Sequence, residues 1–483
     1  MKFKLTIALF AFISLMSCRK ELLSPLPQTS IDEALSFATP ERTLSAVHGM
    51  YAGVKVGNFH AGRYLVYQDI RGEEFNNETA NGVTNLQTWN FTVGSSTNEV
   101  QNLWNAAYAA LNRINVVLKG IDGSPVSDAL KNQYRGEARF LRALVYHSLV
   151  TLYARPYTDG NGNKLGVVIY TEPQTQLGVN NKERSTVAEV YNLILEDLNF
   201  AETNLPLNYA SQPVNVTRAH RNSAIALKTR IYLHMGRYAD VITEANKIVP
   251  AAPPFVAPTG VKHKLEDNIA NVFGAAGQTL ENIFSFPFTT ADLPGTQNSL
   301  NQYYSPGANA DIPTANGNGD YALNTGATGI ASNPGWTATD VRRTSLTQMA
   351  TGKLWLRKWT ANTDYVPVIR YAEVLLNLAE ALARNNGLDA RAIALLNAVR
   401  KRSDPATTLA PATQAALIDA ILLERRIELL GEGFRSRDLL RLGATLPAKG
   451  TAPAIAPTSA QYIWPIPSSE ILVNKSITQN PGY

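Results

Sequence analysis

Five aromatic residues, Phe75, Trp89, Tyr303, Tyr304 and Trp336, lie outside any helical apolar pattern and beside Asn, Asp, Arg or Gly. Flat rings stack on the C–H faces of sugar rings, and neighbouring amide or guanidinium groups can bond hydroxyls. Arg71 and Asn90 supply such groups close to Phe75 and Trp89. The seven residues therefore read as a candidate ligand-binding set carried on loops. The plainer alternative for each ring is a half-buried anchor for its own loop.

Other chemistries find little support. The sequence has no His-Glu-x-x-His helix, no Gly-x-Ser-x-Gly elbow and no phosphate-binding Gly-rich loop, and its six histidines do not fall at ligand spacing. His147 and His234 lie in apolar helical patterns and read as hydrogen-bonded packing residues. Paired carboxylates distant in sequence are the one enzymatic route left open; neither an enzyme nor a cofactor is expected. Asp159-Gly-Asn161-Gly-Asn163 and Asn316-Gly-Asn318-Gly-Asp320 place oxygens at alternate positions, as calcium loops do. Lys164 and Tyr170 occupy the positions where such a loop needs glycine and glutamate, so turns are the preferred account. Acids and bases alternate from Leu423 to Arg441, with Glu424 and Glu428 one helical turn apart. This reads as a structural ion-pair corner in which the arginines beyond Gly431 and Gly433 fold back on the acids.

The N-terminus carries chemistry of another kind. Lys2 and Lys4 precede an apolar run from Leu5 to Met16, and Ser17 stands just before Cys18, the chain's 1 cysteine. The run is too short for a bilayer core about 30 Å thick, which needs roughly 20 helical residues. It reads as a cleaved signal (1–17) that leaves Cys18 to be acylated, with the body outside the bilayer. An ordinary secreted protein with a chance cysteine is the alternative. With Cys18 so committed, no disulfide can form within the chain, and stability must come from a large core.

Composition is consistent with a polar, weakly charged surface. Charged residues are 17% of 483 and the formal net charge is +5, with bases interleaved among acids rather than gathered in a stripe. That is too weak to argue for nucleic acid, and no nucleic-acid partner is expected.

The elements that must position these groups are mainly helices. Residues 18–38, with Pro25 and Pro27, read as a tether. Thr39 with Pro40 starts a helix to about Val56; Glu99 to Leu118 and Tyr134 to Tyr153 follow at helical spacing. Thr186 and Glu189 form a capping box ahead of Val190 to Ala201. Further amphipathic stretches cover 219–235, 238–249, 368–383, 390–402 and 415–430. Gly236 and Gly387 each precede small and apolar residues at four- and three-residue intervals, the logic of a tetratricopeptide repeat or of a plainer helical hairpin. Three segments, 57–96, 155–182 and 250–366, read as long polar loops bearing aromatics. The expected fold is mostly α: helix pairs, long irregular loops and minor β content.

Motifs along the whole chain resemble the SusD/RagB nutrient-uptake lipoproteins of Bacteroidetes. They are the start ending at Cys18; Leu103-Trp104-Asn105 with Tyr108, Asn112 and Asn115; Glu137-Ala-Arg139 with Arg142 and Tyr146; Arg370-Tyr371-Ala372-Glu373 with Ala379-Glu380-Ala381; Glu424-Arg-Arg with Glu428, Gly433-Phe434-Arg435 and Asp438 with Arg441; and Trp464-Pro465-Ile466-Pro467 with Asn480-Pro481-Gly482-Tyr483. The resemblance implies one globular unit of two halves, 39–250 and 251–483, on a tetratricopeptide-like scaffold. It implies lipid attachment to the outer membrane, facing outward, and delivery of oligosaccharide to a SusC-like TonB-dependent barrel. Peptide cargo, or a mainly structural lid on the barrel, are the alternatives. Ligand residues in the family come from variable loops, so the seven candidates rest on their chemistry alone.

Overall fold

The computed structural model describes residues 33–174, 181–274 and 277–483; the signal, Cys18 and most of the tether lie outside them. Helices dominate, and their ends follow local chemistry. Thr39 accepts from Arg42 N and Pro40 opens the Pro40–Val54 helix, which buries Val47, Met50 and Val54. After the Asn98–Gly120 helix, Ser127 accepts from Leu130 N, so the following helix begins at Asp128, ahead of the apolar pattern, and runs to Tyr153. The Thr186–Glu189 capping box forms as expected and starts Val187–Asn204. Each fully buried Val- or Leu-sized side chain on these faces stabilises the fold by about 1.5–3 kcal/mol.

Glycines turn the helix pairs. Gly236, at φ +72, joins Arg221–His234 to Tyr238–Ala245, and Gly387, at φ +85, joins Tyr371–Asn386 to Ala390–Ser403. Asp389 then caps the second helix by accepting from Ala392 N at 2.9 Å. Buried ion pairs tie one pair to the next. Arg142 makes a two-pronged contact with Asp197 at 2.7 and 2.8 Å, and Arg230 grips Glu373 at 2.6 Å from both Nε and Nη2. One apolar core reaches from Phe37 to Ile477 through both halves of the chain.

The segment expected as a helix from Val368 begins instead as a strand, Val366–Arg370, paired antiparallel with Asn282–Phe286; the helix starts at Tyr371. Its apolar run fits either period, and a distant partner strand decides. The same pairing joins Asn282–Phe286, inside the long polar segment, to the strand at its C-terminal end. Tyr321–Leu323 of that segment pairs with Phe75–Asn77 of the 57–96 segment, and Thr347–Ala350 forms a hairpin with Lys353–Leu356. The hairpin turn is Thr351-Gly352, both at positive φ (54° and 74°), the conformation that suits a two-residue hairpin. The 57–96 segment is likewise not all loop: it holds the Arg63–Ile70 and Leu86–Trp89 helices.

The acid-rich corner is built differently from the sequence reading. Glu424 and Glu428 are fully covered, but their partners are Arg342, Arg370, Arg400 and Arg402 from other elements. The arginines expected to fold back go elsewhere: Arg435 pairs with Glu73, and Arg441 with Glu380 and Asp438. Arg342 belongs to the loop segment, so this cluster fastens the loop layer to the helices.

Candidate ligand-binding cleft in the loop layer

The seven sequence candidates are mostly buried. Phe75, Tyr303 and Tyr304 are 0% exposed, Arg71 1%, Trp336 2% and Trp89 6%. Only Asn90 is half-buried, beside Thr92. Phe75 packs 4.8 Å from Tyr304, which stacks at 28° on Trp359. Trp89 Nε1 donates to Phe75 O at 2.9 Å, and a Cβ on Gly450 would come 2.8 Å from Trp89 on its other side. Tyr303 donates to Gln297 O, and Arg71 donates to Tyr462 O. Trp336 stands apart beneath Arg343, whose guanidinium lies 4.5 Å from the ring centre. The expectation that these rings sit exposed in loops is therefore corrected: their faces are covered by protein, and what they build is the floor of the loop layer.

Charges in that floor are perturbed. Burial pushes the Asp69 carboxyl up to about 7, although Gly433 N–H and the Tyr304 hydroxyl donate to it at 2.8 and 3.0 Å. Burial likewise raises Glu99 to about 7 against the backbone N–H groups of Gln87 and Thr88. Asp69 thus joins the loop helix Leu300–Tyr304 to the Gly431–Gly433 corner.

Above this floor opens a cavity of about 160 Å³ whose rim includes Asn301, Thr314, Gln348, Trp355, Arg357 and Thr360. Trp355 is held by its Nε1 on Ala350 O and packs with Ala322 and Ala350 in a small apolar cluster. By contrast, the Gln348 amide, the Thr314 and Thr360 hydroxyls and the Arg357 guanidinium make no hydrogen bond among the described residues. Two larger clefts lack this combination of an aromatic wall and unengaged polar groups. The 320 Å³ cleft beside Tyr108 and Tyr170 has its amides committed to backbone: Asn112 to Gln174 O, Asn115 to Tyr170 O and Asn474 to Lys182 O. The 610 Å³ cleft at Asn163 and Pro457 also has side chains without a hydrogen bond among the described residues, Asn163, Lys164 and Thr458, but it has no aromatic lining, and Arg155 there spends its guanidinium on carbonyls. Trp355, Gln348, Arg357 and Thr360 escaped the sequence reading; the Thr351-Gly352 hairpin turn was the signal that could have found them.

Of the two calcium-like stretches the first is a turn, while Asn316 to Asp320 runs as irregular chain bridged to Gly307. Gly160, Asn161 and Gly162 all have positive φ, and Asp320 accepts from the Thr79 and Thr84 hydroxyls at 2.7 and 2.9 Å. Among the described residues no group of three His, Cys, Asp or Glu side chains could hold a metal ion. Nor is any described helix long and apolar enough to cross a membrane.

A frame of antiparallel helix pairs carrying an irregular layer with an open cleft defines a tetratricopeptide-like scaffold protein. The chain belongs to the SusD superfamily. Residues 294–483 match the family model described as SusD family, and residues 41–233 match one described as starch-binding associating with outer membrane. A SusD superfamily crystal structure from Bacteroides fragilis is 32% identical, with TM-score 0.81, over 92% of this chain and 99% of that one. A second, from Bacteroides thetaiotaomicron, is 25% identical with TM-score 0.80 over 92% and 100%. A SusD-like protein of Formosa agariphila is 24% identical over the whole of both chains.

Proposed function

We propose that this chain is an outer-membrane lipoprotein, attached through Cys18, that captures oligosaccharide in the loop-layer cleft and passes it to a TonB-dependent barrel. The observation that carries the reading is the convergence of unengaged hydrogen-bonding groups, Gln348, Thr314, Thr360 and Arg357, around the cleft that Trp355 walls. Uncommitted polar groups on a rim with an apolar wall suit a hydroxyl-rich ligand with C–H faces. A starch-binding protein of Bacteroides thetaiotaomicron, 33% identical over 25% of this chain, and a laminarin-binding protein of the same fold support glycan as the cargo. In this reading Phe75, Trp89, Tyr303, Tyr304 and Trp336, with Arg71 and Asn90, hold the loops in the shape that receives the ligand. The halves 39–250 and 251–483 act as one body. Capture needs no bond-making step.

Isothermal titration of an oligosaccharide panel tests the reading. Gln348→Ala combined with Thr360→Ala is expected to weaken binding by about tenfold, the loss of about 1.4 kcal/mol. Binding unchanged by the pair would remove this cleft as the site. Co-purification of a large barrel protein with the tagged chain, solubilised from membranes, is the expected sign of the partner.

A further inference from the structure

We propose that the loop-layer cleft selects glycans bearing an anionic group, a carboxylate or a sulfate ester, and that Arg357 reads that group. The inference rests on the glycan-binding reading above and adds its substrate class. Arg357 follows the Lys353–Leu356 strand and is exposed, with its backbone N–H fixed on Leu346 O at 2.7 Å. The base of the side chain is therefore held, while the guanidinium has no ion pair or hydrogen bond among the described residues.

Its neighbours are all engaged. Arg342 meets Asp340, Glu424 and Glu428; Arg343 donates to Ala331 O and Trp336 O; Lys358 pairs with Glu432. Three carboxylates close in sequence to the cleft residues or bonded near them engage other groups. Asp364 accepts from Thr360 N and Ala361 N, Asp311 from Thr351 N, and Glu78 pairs with Lys353. No Asp or Glu lines the cleft, so its lining has a single charge, and that charge is positive. A free guanidinium offers a planar fork of N–H donors that matches carboxylate and sulfate oxygens two at a time. The uncharged groups of Gln348, Thr314 and Thr360 are left for hydroxyls. An arginine with no acid to answer it, on the rim of an otherwise neutral cleft, gives an anionic ligand an attraction that a neutral one lacks.

The test pairs each acidic oligosaccharide with its own neutralised form: an oligogalacturonate against its carboxyl-reduced product, and a sulfated galactan oligomer against its desulfated product. Titration of the full mature chain at low and high salt is expected to give, for at least one pair, about tenfold tighter binding of the acidic member, narrowing with salt. Arg357→Gln should abolish the difference and Arg357→Lys should restore part of it. Preference in the first pair would identify carboxylate as the source, and in the second sulfate. Equal binding within both pairs, or a preference that survives Arg357→Gln, overturns the inference while leaving glycan binding intact. Binding of none of the four, while a neutral member of the oligosaccharide panel binds, overturns the inference; binding of no member of that panel overturns the glycan reading beneath it.

Discussion

Arg342 donates from Nη1 to Glu428 Oε2 at 2.8 Å, joining the loop layer to the end of the Gln414–Glu428 helix in a fully buried contact. Arg370 and Arg402 meet the other oxygen of the same carboxylate at 2.9 and 2.6 Å. One acid thus answers three arginines that arrive from separate parts of the chain. It is the point where helical frame, strand pair and loop layer are mutually fixed.

Replacing that acid is the first prediction. Burial alone would push the Glu428 carboxyl up, but Arg402, Arg370 and Arg342 overcome it and hold the group well below the usual carboxylate range. Its stabilising contribution is therefore present above the unfolded-state value, about 4.3, and is lost as the pH falls toward the lower folded value. Glu428→Gln keeps the shape and removes the charge, leaving buried arginines short of a partner at a cost of about 3–5 kcal/mol. Urea unfolding at neutral pH should reveal that loss, and an unchanged midpoint would contradict the role.

Acid lability is the second. Burial lowers His60, His147, His220 and His234 well below the usual imidazole range and His263 to about 4. The unfolded chain takes up these protons first, so the stability they represent is present above about pH 6.5 and lost as the pH falls from there. For His263 alone the loss approaches about 3 kcal/mol near pH 4. Asp69 and Glu99, raised to about 7, act in the opposite sense: their contribution is present below about pH 4 and lost as the pH rises through 7. Burial also raises Glu74, Asp197 and Asp320, and the five imidazoles outweigh these carboxyls together. Thermal melting points should fall steadily between pH 7.5 and pH 5, and more steeply in Asp69→Asn, which lacks the compensating proton.

Membrane attachment supplies the third. Cys18 follows a signal-like run, and no described helix can cross a bilayer. Expressed in its native host, the chain should partition into detergent, and Cys18→Ala should move it to the aqueous phase. Equal partitioning of the two proteins would remove the lipid anchor from the proposal.

Elements that depend on neighbours in sequence were legible before the structure. The Thr186–Glu189 box and the glycine turns at 236 and 387 are local chemistry, and the helices they bound fall within a few residues of the expected limits. Features set by distant contacts were not. Val368 to Arg370 joins a strand because Asn282–Phe286 lies beside it. Tyr304 looks exposed among Asn, Ser and Pro, yet Phe75 and Trp359 cover it from far away in the chain. Arg357 and Gln348 carry no motif at all; their candidacy comes from the partners they lack, which only three dimensions reveal.

The final prediction separates cleft from frame. Gly317 lies against the Ser305–Pro306 wall, with its N–H on Pro306 O at 3.0 Å, and a Cβ there would come 1.9 Å from Ser305 O. No side chain can be accommodated at that distance, so Gly317→Ala must push the two strands of the loop apart. Ser305 and Pro306 line the cleft, so its wall moves with them. None of these residues takes part in the ion pairs that join the helices. Ligand affinity should therefore fall by about tenfold or more, while the helical circular-dichroism signal and the main unfolding transition stay close to wild type. A variant that binds normally would detach the cleft from function; one that unfolds globally would mean that the loop layer and the frame are a single cooperative unit.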